Sequence, residues 1–313
     1  METEINMSDK IKGGIVGLLV GDALGVPYEF HARQEIPSAA EIEFEPPHWL
    51  RRAHAGVPPG TYSDDGAQAL ILLNTLLERG RFEAAHFANG LVDWYDRGFM
   101  AVGGQVFDVG IQTANAIRAL KKGVEPLVAG GADEYSNGNG SLMRVLPLAL
   151  WHRGTDLELV TDAFDQSAVT HGHLRAQICC ALYCLWARRI LQATESPWES
   201  AVAALGEFFP EGTIENIEFE TRIFPKDAIF DVKGSGYVVD SLRAARWANG
   251  NKTYEETVKA AIALGDDTDT TACIAGGIAG LIHGFEAIPR RWVDNLRGKE
   301  IYEPLLERLL ARI

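Results

Sequence analysis

Two short acidic clusters contain the residues of this chain that are best suited to chemistry. One is Ser-Asp-Asp at residues 63–65, and the other is Asp-Thr-Asp-Thr at residues 267–270. Carboxylate and hydroxyl oxygens are the ligands that Mg²⁺ and Mn²⁺ prefer in proteins. We therefore predict that folding brings the two clusters together, although they lie far apart in the sequence, and that they hold two divalent cations between them.

Helix capping is the alternative explanation for both clusters, because Ser, Thr and Asp are common caps and acidic residues favour the first helical turn. Asp266, Asp267 and Asp269 nevertheless fall within four consecutive positions. Capping does not require three carboxylates, which repel one another at this spacing, and a bound cation would relieve that repulsion. An EF-hand is excluded because Ala272 occupies the position at which that loop requires glycine.

A polar, glycine-rich segment at residues 137–141 (Asn-Gly-Asn-Gly-Ser) is a further candidate. We expect it to open a helix, and free N–H groups at the start of a helix bind phosphate. It matches neither the P-loop nor the dinucleotide fingerprint, so a simple turn is the alternative. Asp22, Glu29, Asp108 and His171 are ambiguous as single residues, because each could be a surface, capping or structural residue.

The elements that must position these residues are almost all helical. Apolar residues recur at helical spacing in nine segments, and these predict helices over residues 10–24, 66–79, 82–96, 108–121, 141–152, 173–194, 236–248, 254–264 and 271–284. Gly80 is the expected C-cap of the second helix, and Pro147 is expected to kink or delimit the fifth. Only residues 217–223, in an irregular stretch over residues 205–235, alternate as a half-buried strand would.

Small residues mark the first and last of these helices. Gly13, Gly14, Gly17 and Gly21 interrupt the apolar face of the first, and the last is similarly rich in glycine and alanine. Glycine is a poor helix former, so this enrichment indicates that neighbouring helices approach closely. We predict that the two helices pack together at the centre of an all-α fold, a single compact multi-helix domain that spans residues 1–313.

Composition excludes several classes of function. The net charge of −14 disfavours a nucleic-acid partner and docking on anionic membranes. We expect no segment to be long and apolar enough to cross a bilayer, and we expect no leader peptide from the mixed charge of the first twelve residues. The four cysteines lack a CxxC spacing, so reduced thiols in a cytoplasmic protein are expected rather than disulfides or a zinc site.

In their order along the chain, these motifs resemble the ADP-ribosylglycohydrolase family, which includes the dinitrogen reductase-activating glycohydrolase and the ADP-ribosyl-acceptor hydrolases. The resemblance covers roughly residues 11 to 310. It comprises Gly21-Asp22-Ala23-Leu24-Gly25 through Glu29-Phe30, Gly60-Thr61-Tyr62-Ser63-Asp64-Asp65, Phe107-Asp108-Val109-Gly110, Asn137-Gly138-Asn139-Gly140-Ser141-Leu142-Met143-Arg144, Thr170-His171, Gly236-Tyr237-Val238-Val239-Asp240 and Gly265-Asp266-Asp267-Thr268-Asp269-Thr270.

The resemblance implies an all-α fold with a binuclear Mg²⁺ or Mn²⁺ centre at the bottom of a cleft. The implied metal ligands are Ser63, Asp64, Asp65, Asp267, Asp269 and Thr270. The implied catalytic carboxylates are Glu29, Asp64 and Asp65. Asp108 resembles the residue that faces a guanidinium in arginine-directed members, and the other residues similar to family positions around ADP-ribose are Gly138, Asn139, Gly140, Ser141, Met143, His171 and Tyr237.

Two residues depart from the family pattern. Gly66 stands where many members have threonine, which removes a hydroxyl next to the first cluster. Asp266 replaces a glycine, which we expect to add negative charge near the cations.

The expected activity is metal-dependent hydrolysis of the N-glycosidic bond that joins ADP-ribose to a protein arginine. The partner would be an ADP-ribosylated protein, ADP-ribose would be released, and the enzyme would be a monomer. Alternatives are hydrolysis of serine-linked ADP-ribose or O-acetyl-ADP-ribose, and an inactive relative that binds ADP-ribose or serves as a structural protein. A metal-dependent phosphohydrolase is disfavoured, because the chain lacks the histidine-rich metal sites common in that class.

Overall fold

The computed structural model describes residues 5–224 and 231–312. Within these residues the chain forms fourteen α-helices: α1 Met7–Gly25, α2 Asp64–Arg79, α3 Ala84–Arg97, α4 Ile111–Lys121, α5 Leu146–Trp151, α6 Asp156–Ala168, α7 Leu174–Leu191, α8 Pro197–Glu207, α9 Ile214–Glu218, α10 Val238–Ala248, α11 Tyr254–Ile262, α12 Thr268–His283, α13 Arg290–Asn295 and α14 Lys299–Leu310.

Short helical turns complete the described structure. A π-helix spans Phe219–Ile223, and 3₁₀ turns span Val26–Tyr28, Arg33–Glu35, Ala39–Glu41, Val102–Gly104, Pro126–Val128 and Phe285–Ala287. No β-strand occurs in the described residues, where strand pairing is limited to two isolated bridges. The prediction of an all-α fold is confirmed, whereas the extent of a single domain over residues 1–313 stays a prediction.

Helices α1 and α12 pack against each other at the centre of the core, as their small residues predicted. A Cβ added to Gly13 or Gly21 would lie only 2.2 Å from a carbonyl oxygen of α12. A Cβ added to Gly17 would lie 2.6 Å from another carbonyl oxygen of α12. Such distances leave no room for a side chain, so the four-residue spacing of these glycines allows the two backbones to touch along their whole length.

This packing also accounts for the apolar character of α1. By length and composition, the segment Met7–Tyr28 could cross a membrane, contrary to the sequence-based expectation. In the folded protein, however, 94% of its apolar stretch is buried. A helix that is apolar all round and enclosed by its neighbours is a core helix.

Several predicted elements are corrected by the structure. Residues 217–223 are helical and not a strand, because they continue from α9 into the π-helix. The fifth predicted helix begins at Leu146 and not at residue 141, with Pro147 in its first turn, where a missing N–H costs least. Helix α4 begins after Asp108, whose positive φ of 54° is not helical.

Other predictions about elements have simpler outcomes. Gly80 caps α2 in the left-handed conformation, as predicted. The sequence pattern missed α6, α8, α13 and α14. Residues 225–230 of the stretch predicted to be irregular lie outside the described residues.

Candidate active site

The two acidic clusters meet in the structure because each occupies the first turn of a core helix. Ser63 is the N-cap of α2, and Asp267 is the N-cap of α12. The hydroxyl of Thr270 donates a hydrogen bond to Oδ2 of Asp65 over 3.4 Å, which joins the clusters directly. The capping explanation is therefore correct for Ser63, whose hydroxyl accepts from the Asp65 N–H, and it does not compete with the predicted meeting of the clusters.

Two groups of carboxylates lie close enough to share a cation each. Asp22, Asp65 and Asp269 offer oxygens within 4.8 Å of one another, and Glu29, Asp267 and Asp269 form a second such group. Asp269 belongs to both groups. Either group offers the carboxylate oxygens that hard divalent cations prefer, and both lie at the start of α12.

Two oxygen atoms test whether cations fit. Oδ1 of Asp65 and Oδ2 of Asp269 are buried without a hydrogen-bond partner among the described residues, and both side chains are fully buried. A buried carboxylate oxygen without a partner is unfavourable unless a cation or donor satisfies it. The residues present fit Mg²⁺ or Mn²⁺, because the surrounding donors are all carboxylate and hydroxyl oxygens.

The protonation equilibria of the cluster reflect the same crowding. Burial, followed by repulsion from neighbouring carboxylates, raises the pKa values of Asp64 and Asp269 well above their ordinary range. Burial likewise raises the pKa of Asp22 to about 7 and, together with the charge of Asp108, that of Glu29 to about 10. Ionising all of these carboxylates together is therefore unfavourable, and a bound cation would offset their mutual repulsion.

Asp22 is more central than its ambiguous sequence context indicated. It is fully buried, and its carboxylate accepts hydrogen bonds from the backbone N–H groups of Ser63 and Gly66, each 2.8 Å long. It thereby holds the start of α2 against α1. An acidic residue inside an otherwise apolar, glycine-rich helix was the available signal, since burying a lone carboxylate is costly without such partners.

The two departures from the family pattern have local explanations. A Cβ on Gly66 would lie 2.7 Å from the side chain of Leu19 and 2.8 Å from the ring of Tyr62, so this packing requires glycine. Asp266 is exposed and has a positive φ of 59°. Its carbonyl oxygen accepts from the Phe30 N–H over 2.8 Å. The backbone of Asp266 therefore shapes the turn. Its exposed side chain is not part of the buried acidic cluster.

A cavity of about 360 Å³ opens at the carboxylates. Five acidic or hydroxyl side chains line it: Glu29, Asp64, Asp108, Asp267 and Thr270. The same cavity is lined by Gly138, Asn139, Gly140, Met143 and His171. Five of the predicted binding residues around ADP-ribose therefore border one space with three of the predicted metal ligands. The predicted site residues that are not among its lining residues are Ser63, Asp65, Asp269, Ser141 and Tyr237.

The loop over residues 137–140 is held by hydrogen bonds to two other residues that line the cavity, Asp267 and Gln112. The Asn139 side chain donates to Oδ2 of Asp267 over 2.8 Å, and the Gly138 N–H donates to Oε1 of Gln112 over 3.0 Å. An isolated bridge pairs Gly138 with Tyr237. Contrary to expectation, this loop does not open a helix, because α5 begins only at Leu146. It is a turn stabilised by tertiary contacts.

His171 and Ser141 support the loop from below. A Cβ on Gly140 would lie 2.8 Å from Cε1 of His171, so the imidazole packs directly against the glycine. Burial lowers the pKa of His171 to about 3, which keeps the ring neutral. Ser141 is fully buried and accepts a hydrogen bond from the Ser167 hydroxyl over 2.8 Å, so it does not line the cavity.

The structure adds a histidine that no sequence motif indicated. Nε2 of His54 lies 2.6 Å from Oε2 of Glu29 and 3.9 Å from Oδ1 of Asp108. His54 comes from the irregular stretch between α1 and α2, where neither periodicity nor spacing distinguishes it from its neighbours. Only the fold brings its ring to the edge of the site.

Comparison with known proteins now identifies the family. Residues 3–313 match the family described as ADP-ribosylglycohydrolase. The chain belongs to the ADP-ribosylglycohydrolase family. It is similar to the ADP-ribosylarginine hydrolase Tri1 of Pseudomonas putida (strain GB-1), with 32% identity over 97% of this chain and 78% of that protein.

Further relatives within this family are more distant. The ADP-ribosyl-[dinitrogen reductase] glycohydrolase of Rhodospirillum rubrum is 26% identical over 93% of this chain and 91% of its own length. Human ADP-ribosylhydrolase ARH3 is 25% identical over 96% and 92%, respectively. A solved structure titled ADP-ribosylglycohydrolase-related protein complex superposes with a TM-score of 0.78 at 30% identity, covering 97% of this chain and 98% of that one.

Proposed function

We propose that this protein is a divalent-cation-dependent hydrolase that cleaves the N-glycosidic bond between ADP-ribose and an arginine of a modified protein, so that it reverses mono-ADP-ribosylation. The proposal depends on one observation. Asp65 and Asp269 converge, and each has a buried oxygen without a hydrogen-bond partner among the described residues. Their sequence neighbours Asp64 and Thr270 line a cavity that Asp108 also lines. Membership of the family and the similarity to an ADP-ribosylarginine hydrolase support the arginine linkage.

The lining of the cavity suits the two parts of ADP-ribosyl-arginine. The backbone of Gly138-Asn139-Gly140 and the neutral ring of His171 would lie against the ADP-ribose, with Met143 and Tyr237 nearby. Asp108, which lines the same cavity, would accept hydrogen bonds from the guanidinium, and such charge-assisted bonds are about twice as strong as neutral ones.

The proposed cation ligands are Ser63, Asp64, Asp65, Asp267, Asp269 and Thr270. Two divalent cations, Mg²⁺ or Mn²⁺, would supply Lewis-acid activation of water and of the ribose hydroxyl groups. Because Asp64, Asp267 and Thr270 line the cavity, these ligands would supply that chemistry next to the ribose of the substrate.

Proton transfer is assigned to the carboxylates that border the cavity. Glu29 and Asp64 line it, whereas Asp65 is not among its lining residues. Of the three candidate acid–base residues, Glu29 and Asp64 are therefore favoured to move the proton between water and the leaving guanidine. Their charge would also stabilise an oxocarbenium-like transition state.

Turnover of defined conjugates tests the proposal. Purified protein with Mg²⁺ or Mn²⁺ is expected to release ADP-ribose from an arginine-linked peptide. Asp269→Ala is expected to abolish both cation binding and release while circular dichroism shows near-normal helix content. Absence of release from the arginine conjugate at saturating cation would reject the proposal, and turnover by Asp269→Ala would reject the assigned site.

Serine-linked ADP-ribose and O-acetyl-ADP-ribose are the competing substrates, since similarity extends to human ADP-ribosylhydrolase ARH3. Both belong in the same assay, because Asp108 favours a cationic acceptor and these two acceptors are neutral. An inactive ADP-ribose-binding relative would bind ADP-ribose without releasing it from any conjugate.

We further propose that the protein acts as a cytoplasmic monomer, and its four buried free cysteines agree with a reducing compartment.

A further inference from the structure

We propose that His54 is a positioning residue that fixes the Glu29 carboxylate at the acceptor side of the cavity. This inference rests on the proposed function, because it concerns the hydrolytic step at the same site. Nothing in the sequence motifs involves His54, and the argument for it is geometric.

The ring of His54 is held on two sides while its edge faces the acidic residues. Phe30 and Phe107 contact it, with ring centroids 5.6 Å and 5.2 Å away. Nε2 shares a 2.6 Å hydrogen bond with Oε2 of Glu29 and lies 3.9 Å from Oδ1 of Asp108. Two aromatic neighbours therefore restrict the ring to an orientation in which one nitrogen reaches Glu29.

The backbone around this contact is strained. Phe30, His54 and Asp108 have positive φ values of 64°, 48° and 54°, respectively. Conformations of this kind are unfavourable in residues other than glycine and persist only where the surroundings hold them. Phe30 and Asp108 both lie next to the imidazole of His54, and the three residues come from separate segments. The backbone strain is therefore concentrated around the contact between His54 and Glu29.

The turn at Phe30 has a visible result for Glu29. The Phe30 side chain is 70% exposed, whereas Glu29 beside it is only 4% exposed and points into the site. Glu29 follows the 3₁₀ turn Val26–Tyr28, outside any α-helix, so its side chain depends on contacts for its orientation. His54 takes one carboxylate oxygen and leaves the other for the cavity.

Loop anchoring is the alternative role for His54, since the histidine could serve only to tie its irregular segment to the fold. The two roles differ in what they change. Loss of an anchor would reduce stability for any replacement, whereas loss of a positioning contact would reduce kcat and would be restored by a side chain that reaches Glu29.

Two substitutions separate these roles. In His54→Gln, the amide occupies the place of Nε2 and can share a hydrogen bond with Glu29. In His54→Asn, the shorter side chain tolerates positive φ well but its amide corresponds to Nδ1 and falls short of Glu29. His86→Gln is the matched control, because His86 also pairs with a glutamate, at 3.0 Å from Glu78, on the exposed surface.

We expect His54→Asn to lower kcat for the turned-over conjugate by about 10–100-fold, because small misplacements of a catalytic group have effects of this order. Its KM should stay within about twofold of wild type, since Gly138-Asn139-Gly140 and Asp108 are untouched. His54→Gln should recover most of the kcat, and His86→Gln should change neither constant.

A double-mutant cycle with Glu29→Ala keeps the inference testable if His54→Asn is unstable. If His54 acts through Glu29, adding His54→Ala to Glu29→Ala should cause no further loss of kcat, although His54→Ala alone lowers it. Full additivity of the two losses would overturn the inference. So would equal losses in the Gln and Asn variants, or wild-type kcat in His54→Asn.

The same measurements separate this inference from the proposed function. Turnover of a serine conjugate but not of the arginine conjugate would reject the proposed linkage and leave the His54 comparison to be made on the serine conjugate. A wild-type protein inactive on every conjugate would reject both. A wild-type protein active on arginine conjugates with unchanged His54 variants would reject only the role of His54.

Discussion

The close packing of α1 on α12 predicts that one added methyl group at Gly25 will disable the site. A Cβ at this position would lie 2.4 Å from Cα of Asp269 and 2.5 Å from its backbone nitrogen. Ordinary Cβ contacts begin at 3.4 Å, so the first turn of α12 must move by about 1 Å (3.4 − 2.4). Gly25 has ordinary helical dihedral angles, φ −75° and ψ −34°, so alanine causes no dihedral strain and the effect is purely steric.

The expected magnitudes follow from this displacement. Overpacking of a core costs about 1–3 kcal/mol, so Gly25→Ala should lower the free energy of unfolding by that amount. A misplacement of about 1 Å in a catalytic site can cost about 100-fold in rate, and we expect kcat to fall by that order. Mn²⁺ affinity should also fall, because the backbone that moves carries Asp269.

Urea denaturation, calorimetric titration with Mn²⁺ and turnover measure these three effects. Gly206→Ala is the matched control, because a Cβ at Gly206 in α8 would meet nothing within 4 Å. This control should raise the free energy of unfolding by about 0.5–1 kcal/mol and leave cation binding unchanged. Wild-type stability and Mn²⁺ affinity in Gly25→Ala would refute the claim that backbone contact between α1 and α12 positions the site.

Three other perturbations have defined outcomes. In EDTA, the free energy of unfolding should fall as pH rises from about 4 to about 10, because the raised pKa values of Asp22 (about 7) and Glu29 (about 10) mean that the folded state holds protons more tightly than the unfolded state. Saturating Mg²⁺ should flatten this profile in denaturation experiments, and a flat profile in EDTA would contradict the assigned burial. Arg144→Met should lower the free energy of unfolding by about 1–3 kcal/mol, because the buried guanidinium donates to Oε1 of Gln68 over 2.8 Å and removing it leaves that oxygen unpaired; an unchanged urea midpoint would show otherwise. Asp108→Asn should lower kcat/KM for arginine conjugates by about 10–100-fold, the equivalent of one charge-assisted hydrogen bond, with little effect on neutral acceptors. Equal losses on both kinds of conjugate would remove Asp108 from acceptor selection.

Helix prediction succeeded where periodicity is strong and failed where tertiary contacts decide. The glycine-rich α1 and the apolar α2 were predicted within a few residues at each end. Residues 217–223 alternate like a strand, yet they are helical because no partner strand exists for them in the described residues. At residues 141–145 the chain has helical composition but turns instead, since the preceding loop is bonded to Gly236 and Gln112.

The meeting of the two acidic clusters was predictable from the sequence, and the residues around them were less so. Dense carboxylates and hydroxyls in residues 63–65 and 267–270 predicted a meeting point, because like charges cluster only where something compensates them. Asp22 was available as a buried acid in an apolar helix but was equally compatible with a cap. His54 could not be predicted, because a loop histidine has no periodicity, and its place depends on two aromatic side chains from distant segments.

Residue chemistry alone determined that this protein is helical, that its glycine-rich helices pack closely and that oxygen donors for hard cations lie in two clusters. Those properties are local, since they depend on spacing and side-chain type within a few turns. The tertiary structure decided which carboxylates share a position, which are buried beneath the cavity and which histidine reaches Glu29. Such contacts depend on how distant segments pack, and packing is set by the shapes of all the surfaces that meet at the site.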